Sequence, residues 1–226
     1  MRYIPKTSPP RVRSDWIAAQ QAAGLVPRYA DFRDKAALND HLRTEQGHIC
    51  CYCQQRISQS RRDAHNEHLI PQQGPHGDPS QDVAYSNLYA SCSYSLGLQP
   101  GKAYCGEAKA DRLIPPLIQD PSCAARFAYN VLGEILPACR SYPSYAGFIA
   151  NRPALPASSL EALRVIEVLN LNAAYLVEER KKTLFVLLKF LNAFPEARIR
   201  ALIPALDRAA RLRAFADMLL FFMNKA

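Results

Sequence analysis

The chain has 226 residues, 49% of them hydrophobic and 21% charged, with a formal net charge of +8. This balance excludes an intrinsically disordered chain and leaves room for one sizeable core or two small ones. The longest strongly apolar run, residues 218–223, falls far short of the roughly 20 residues that span a bilayer, and the first residues lack the apolar centre of a secretory signal, so no membrane is expected and the expected location is cytoplasmic.

Charge is unevenly placed. Residues 1–62 carry 11 Lys and Arg against 5 Asp and Glu, residues 63–156 carry 6 against 8, and residues 157–226 carry 11 against 7. A basic frame around an acidic centre suits a protein that binds a phosphate backbone and holds a cation in the middle. Solvated helix faces account equally well for the C-terminal charges.

Residues 1–13 contain Pro5, Pro9, Pro10 and four basic side chains, which predicts an extended, mobile arm. Helices are predicted over 14–23, with Ser14 as N-cap and Gly24 as stop, and over 35–46, with Asp34 as cap and Gly47 beyond the end. Leu38 and Leu42 give the second helix an apolar side. His41 and His48 read as bystanders.

The informative stretch is 50–109. It opens with Cys50-Cys51-Tyr52-Cys53 and closes with Cys92 and Cys105. A Cys-x-x-Cys pair answered by two later cysteines is a tetrahedral zinc pattern, since four thiolates satisfy one Zn²⁺ and pin distant loops together. Seven cysteines with four at ligand spacing suit a reducing compartment and a bound metal rather than a disulfide framework. Cys51, Cys123 and Cys139 read as ordinary buried thiols. Between the cysteines lie a strand over 64–70 ended by Pro71 and an exposed loop over 72–82. A return strand within 83–90, or direct entry into Cys92, follows. Twelve residues separate Cys92 from Cys105, an insertion marked by Gly97 and Pro100-Gly101, and a short helix is expected from Glu107 to before Pro115-Pro116. Strand, loop, strand and helix around a cation make a ββα-metal unit.

Beyond it, short strands are expected near 126–129 and 133–135. The rest reads as helical: a capping box Ser158-x-x-Glu161 opens a helix to about 170, and others run over 173–193 and 204–223 with broad apolar stripes that read as core. The fold class is therefore α+β and mostly helical. Its expected parts are an N-terminal helical arm (1–48), a zinc-stapled ββα-metal His-Asn-His (HNH) core (49–118), a mixed connecting segment (119–156) and a C-terminal helical bundle (157–226).

Within this frame sit the groups that phosphodiester hydrolysis needs: an activated water, a cation against the phosphoryl charge and fixed geometry. His68 is the candidate general base, because an imidazole accepts a proton near neutral pH. Glu67 offers hard oxygen to Mg²⁺ or Mn²⁺. Asn87 is expected to hold the His68 loop by hydrogen bonds. Cys50, Cys53, Cys92 and Cys105 are the structural zinc ligands, and Arg56, Arg61, Arg62 and Lys109 the candidate nucleic-acid contacts. A non-catalytic zinc module that binds nucleic acid or an ATPase is the alternative from another class.

Taken together, Cys-x-Tyr-Cys, Glu-His-x-x-Pro, Tyr-Ser-Asn-Leu-Tyr-Ala-Ser-Cys and Cys-Gly-x-x-Lys, followed by Asp120-Pro121-Ser122-Cys123, Arg126-Phe127 and Leu169-Asn170-Leu171-Asn172, resemble the retron- and Septu-associated HNH proteins of the PtuB type. The resemblance runs over most of the chain, including the Pro9-Pro10 arm. It implies a bacterial anti-phage endonuclease subunit, acting on DNA rather than RNA, that works with a PtuA-type ATPase and in some systems a retron reverse transcriptase and its RNA-DNA product. Many HNH enzymes place Asn or His after the last zinc cysteine, or one helical turn on, as a further metal ligand. Gly106 stands there in this chain, leaving Glu107, His65 or Asp111 as substitute ligands beside Glu67.

Overall fold

In the computed structural model, residues 1–57, 62–99, 101–139 and 142–225 are described. The central hairpin joins β1 (Ala64–His68) to β2 (Leu88–Cys92), antiparallel, with Glu67 opposite Tyr89 and His68 opposite Leu88. Every residue of β2 is buried. Helix α2 (Lys35–Glu45) packs on both strands through Leu38 and Leu42, lying where the apolar spacing predicts it. Just beyond α2, the Gln46 amide donates to the Ile49 and Ala90 carbonyls (3.0 and 2.9 Å) and accepts from the Ala90 amide (2.7 Å), tying the helix end to β2. Helix α1 (Arg11–Ala22) lies outside, with Trp16 tilted against Phe32.

After the hairpin comes a single helical turn, α3 (Gly106–Lys109), bounded by Cys105 and Ala110, both at positive φ. A second hairpin, β3 (Phe127–Tyr129) with β4 (Ile135–Pro137), turns through Gly133. Helix α4 (Tyr145–Ala150), capped by the Ser144 hydroxyl, was not expected from the mixed pattern of 119–156. The rest is α5 (Ala157–Val168), α6 (Ala174–Ala193), α7 (Glu196–Asp207) and α8 (Ala216–Met223). No helix of the described residues is long and apolar enough to cross a membrane.

Several expectations are corrected. Residues 1–10 do not form a free arm: Met1 and Ile4 are in the core, and the Ile4 amide donates to Ile118 O (2.9 Å). Lys6 bridges Glu45 (2.7 Å) and the Leu88 carbonyl (2.5 Å), and its ammonium lies 4.3 Å from the Tyr89 ring centre. Helix α1 starts three residues before Ser14, directly after Pro10, which takes the extended N-cap position at φ −63 with no side-chain cap. Pro156 does the same for α5, so Ser158 sits inside the first turn and the capping box is not formed. The apolar stripe over 204–223 belongs to two helices. Between them the chain binds the cysteine knuckle: Leu212 N donates to Gly47 O (3.0 Å), Phe215 N to Gln54 O (2.9 Å), and Gln54 and Asp217 exchange two further bonds. Phe215 adopts φ +56 to make the break, so tertiary hydrogen bonds override helical periodicity.

Gly133 combines φ +81 with a backbone approach so close that an added Cβ would lie 2.4 Å from the Val177 carbonyl of α6. Gly133→Ala should cost at least about 2 kcal/mol, from left-handed strain plus a clash with backbone that cannot turn aside. Denaturant unfolding of the two proteins checks this.

Candidate metal centre and adjoining active site

The sulfurs of Cys50, Cys53, Cys92 and Cys105 lie within 4.8 Å of one another, all buried. Cys50 and Cys105 are 3.8 Å apart, Cys53 and Cys92 3.7 Å. Four thiolates about 2.3 Å from one tetrahedral ion sit about 3.8 Å from each other, so these residues fit a bound metal. The turn after Cys50 aims amides at sulfur: Tyr52 N and Cys92 N donate to Cys50 Sγ (3.4 and 3.3 Å), and Gln55 N donates to Cys53 Sγ (3.4 Å). Gln54, at φ +62, closes that turn. Burial, then hydrogen bonding to the other three sulfurs, pushes the Cys105 thiol well above its ordinary range. Against its own burial, Cys50 is drawn well below it, first by Cys105. A cation among the sulfurs removes that conflict by stabilising all four as thiolates.

Beside the sulfurs, strand alternation sends His65 and Glu67 to one face of β1, under α3. His65 Nε2 is 3.3 Å from Glu67 Oε2, and His65 Nδ1 is 3.0 Å from Ser93 Oγ. Gly106 lies directly over the pair: a Cβ there would be 2.5 Å from Glu67 Oε2 and 2.6 Å from His65 Nε2. The missing side chain therefore leaves a cradle bounded by one carboxylate oxygen and one imidazole nitrogen. Two ligands about 2.1 Å from a divalent ion and at right angles to it lie about 3.0 Å apart, so the pair is close to the spacing such an ion needs. On its other oxygen, Glu67 Oε1 accepts from Tyr52 OH (3.1 Å) and pairs with Lys109 Nζ (3.2 Å). Burial would raise the Glu67 carboxyl, but the His65 hydrogen bond and the Lys109 charge hold it below the ordinary range. Burial likewise opposes charge on His65, yet the Glu67 contact raises it overall, with Glu107 adding to the rise.

His68 faces the other way, with 8% of its surface exposed and its ring edge-on to Tyr29 at 4.7 Å. Its Nε2 is 2.9 Å from the Asp82 carbonyl. A carbonyl only accepts, so Nε2 carries the proton and Nδ1 keeps the lone pair in the neutral ring. Burial, the largest influence, moves the His68 pKa down and favours that neutral form. Asn87 braces both sides of this arrangement. Its Oδ1 accepts from Ile70 N (2.7 Å), and its Nδ2 donates to the carbonyls of Ile70 (3.0 Å) and Gln81 (3.1 Å), next to Asp82.

The structure thus brings Glu67 and His65 together and sets His68 with Asn87 on the far side of the strand. Glu107 and Asp111 do not join a ligand set with His65 and Glu67 among the described residues. The Asp111 carboxylate instead packs beside Gly74 of the long loop. Lys109, expected at a nucleic-acid surface, is 1% exposed and donates to the His68 carbonyl (2.8 Å), because the Glu67 carboxylate and that carbonyl repay its burial. Arg56 is likewise engaged, its guanidinium donating to Leu212 O. Arg62 is exposed, and Arg61 lies outside the described residues. Tyr52, Ser93 and the Asp82 carbonyl were not foreseen. Only Tyr52 left a sequence trace, as the aromatic inside Cys-x-Tyr-Cys.

No family model matches the sequence. A protein of Vibrio cholerae serotype O1 biovar El Tor named "Retron Vc95 putative HNH endonuclease" is 30% identical over 161 residues, which is 70% of this chain and 69% of that relative.

Metal analysis of the purified protein should return one tightly held ion per chain. Exchange for Co²⁺ should give the intense sulfur-to-cobalt absorption of a four-thiolate site, and Cys53→Ser should abolish it. Ion removal should unfold the region, since thiolate sites of this kind supply on the order of 10 kcal/mol, comparable to a whole domain's stability.

Proposed function

The chain belongs to the HNH endonuclease family of that retron-associated relative, and on this premise we propose that it is a metal-dependent endonuclease hydrolysing phosphodiester bonds in DNA. The observation that carries this reading is the His65–Glu67 pair facing a position with no side chain, with His68, the following residue in the chain, turned to the other face of the strand and its proton fixed on one nitrogen. Zn²⁺ is assigned to the four cysteines as a structural ion. Mg²⁺ or Mn²⁺ is assigned to Glu67 Oε2 and His65 Nε2, where a bound divalent ion supplies charge neutralisation for the phosphoryl oxygens and the leaving group.

The chain's own groups have separate tasks. His68 Nδ1 accepts the proton of the attacking water, while Asp82 and Asn87 keep the ring aimed. Arg62 and the basic flanks of the sequence attract the phosphate backbone. The relative's name supports an endonuclease in a retron context, and the resemblance of the sequence motifs to the PtuB type supports a place in bacterial anti-phage defence, in the cytoplasm, as the nuclease subunit of a complex with a PtuA-type ATPase. A retron reverse transcriptase and its RNA-DNA product are the further partners of such a complex.

The test is cleavage of plasmid and single-stranded DNA with Mg²⁺ or Mn²⁺, by the protein alone and with its ATPase. His68→Ala should lower the rate by about 100-fold or more. Gly106→Ala should also lose activity, by about 10- to 100-fold with the cysteine-bound ion retained, because the new methyl displaces the His65–Glu67 pair. Equal cutting by His68→Ala and the parent removes His68 from the mechanism. No cutting by the parent under any partner condition supports a non-catalytic binding module instead.

A further inference from the structure

We infer that Tyr52 and Lys109 are positioning residues for the divalent ion, each delivered by one half of the cysteine cluster. The inference rests on the assignment of that ion to Glu67 and His65. Both side chains are almost fully buried, and both address the same carboxylate oxygen, Glu67 Oε1, Tyr52 from 3.1 Å and Lys109 from 3.2 Å. The other oxygen, Oε2, is left toward His65 Nε2 and the Gly106 cradle. A carboxylate is planar, so two donors on one oxygen set the direction of the second. Tyr52 lies between Cys50 and Cys53, and Lys109 lies at the end of the one-turn helix that Cys105 opens. The residues that would hold the structural ion and those that aim Glu67 are thus within four positions of each other along the chain on each side.

Lys109 does a second thing. By donating to the His68 carbonyl at 2.8 Å it fixes the end of β1, and with it the offset between Glu67 and the next residue, the candidate base. An ammonium is an expensive way to fill a core, since a buried charge needs both a counter-charge and hydrogen-bond partners. A methionine of similar volume would fill the space but would leave the Glu67 carboxylate and the His68 carbonyl without this partner, which is why metal content and melting temperature accompany the binding measurement. Groups that orient a metal ligand in this way alter ion affinity when removed, typically by about 10- to 100-fold.

The experiment is Mn²⁺ titration of the full chain, followed by electron paramagnetic resonance, for the parent, Glu67→Gln, Lys109→Met and Tyr52→Phe. Cysteine-bound metal content and melting temperature are measured alongside. The parent should bind one Mn²⁺ that Glu67→Gln loses. Tyr52→Phe and Lys109→Met should bind it about 10-fold or more weaker with the cysteine-held ion unchanged. If both variants bind Mn²⁺ as tightly as the parent, or tighter, the positioning role is wrong while the ion's assignment stands. If the parent has no Glu67-dependent Mn²⁺ site, the assignment fails and takes this inference with it. Should Lys109→Met not fold, Tyr52→Phe, which deletes one hydroxyl, decides the matter.

Discussion

Four sulfurs meet in a buried space where parts of the chain converge that have little reason to stay together alone. The hairpin β1–β2 has two short strands, and α3 is a single helical turn. Neither is stable in water by itself, since an isolated hairpin is marginal and a helix must be several turns long to overcome its nucleation cost. An ion held by Cys50 and Cys53, by Cys92 at the end of β2 and by Cys105 at the start of α3 would tie the three together. An ion shared by four thiolates adds coordination to the hydrophobic core in which the cysteines sit.

The pleat of β1 then divides the chemistry. His65 and Glu67 go toward α3 and the cradle, while His68 goes toward Tyr29, Asp82 and the loop braced by Asn87. Neighbouring residues thereby receive opposite electrostatic surroundings: the carboxylate is held ionised by His65 and Lys109, and the imidazole is held neutral by burial. One strand end thus sets a carboxylate shifted toward its charged form beside an imidazole shifted toward its neutral form.

The flanks of the chain serve the same centre. The N-terminal segment packs Met1 and Ile4 into the core and places Lys6 between Glu45 and β2. The connector between α7 and α8 docks on the cysteine knuckle through Gly47, Gln54 and Asp217. The connector reaches the knuckle from outside the stretch that carries the cysteines, at Gln54 next to Cys53.

Some of this follows from the order of residues alone. Cysteine spacing is a local property of metal coordination, so the sulfur cluster and the Glu67-His68 dipeptide were legible, as were α2 and α6, whose apolar positions recur at helical period. Partners distant along the chain were not. Lys109 reads as a nucleic-acid contact until the Glu67 carboxylate of β1 is found facing it, and Gly106 reads as a lost ligand until the space above His65 and Glu67 is seen to require the absence of a side chain. The break between α7 and α8 is equally invisible in an apolar stripe that continues across it, because it is made by hydrogen bonds to the knuckle. Sequence spacing determined which atoms are able to bind an ion; the three-dimensional packing decided which charges are buried and which oxygen of Glu67 faces His65 and the Gly106 cradle, since desolvation and hydrogen-bond geometry depend on neighbours that only the folded chain brings near.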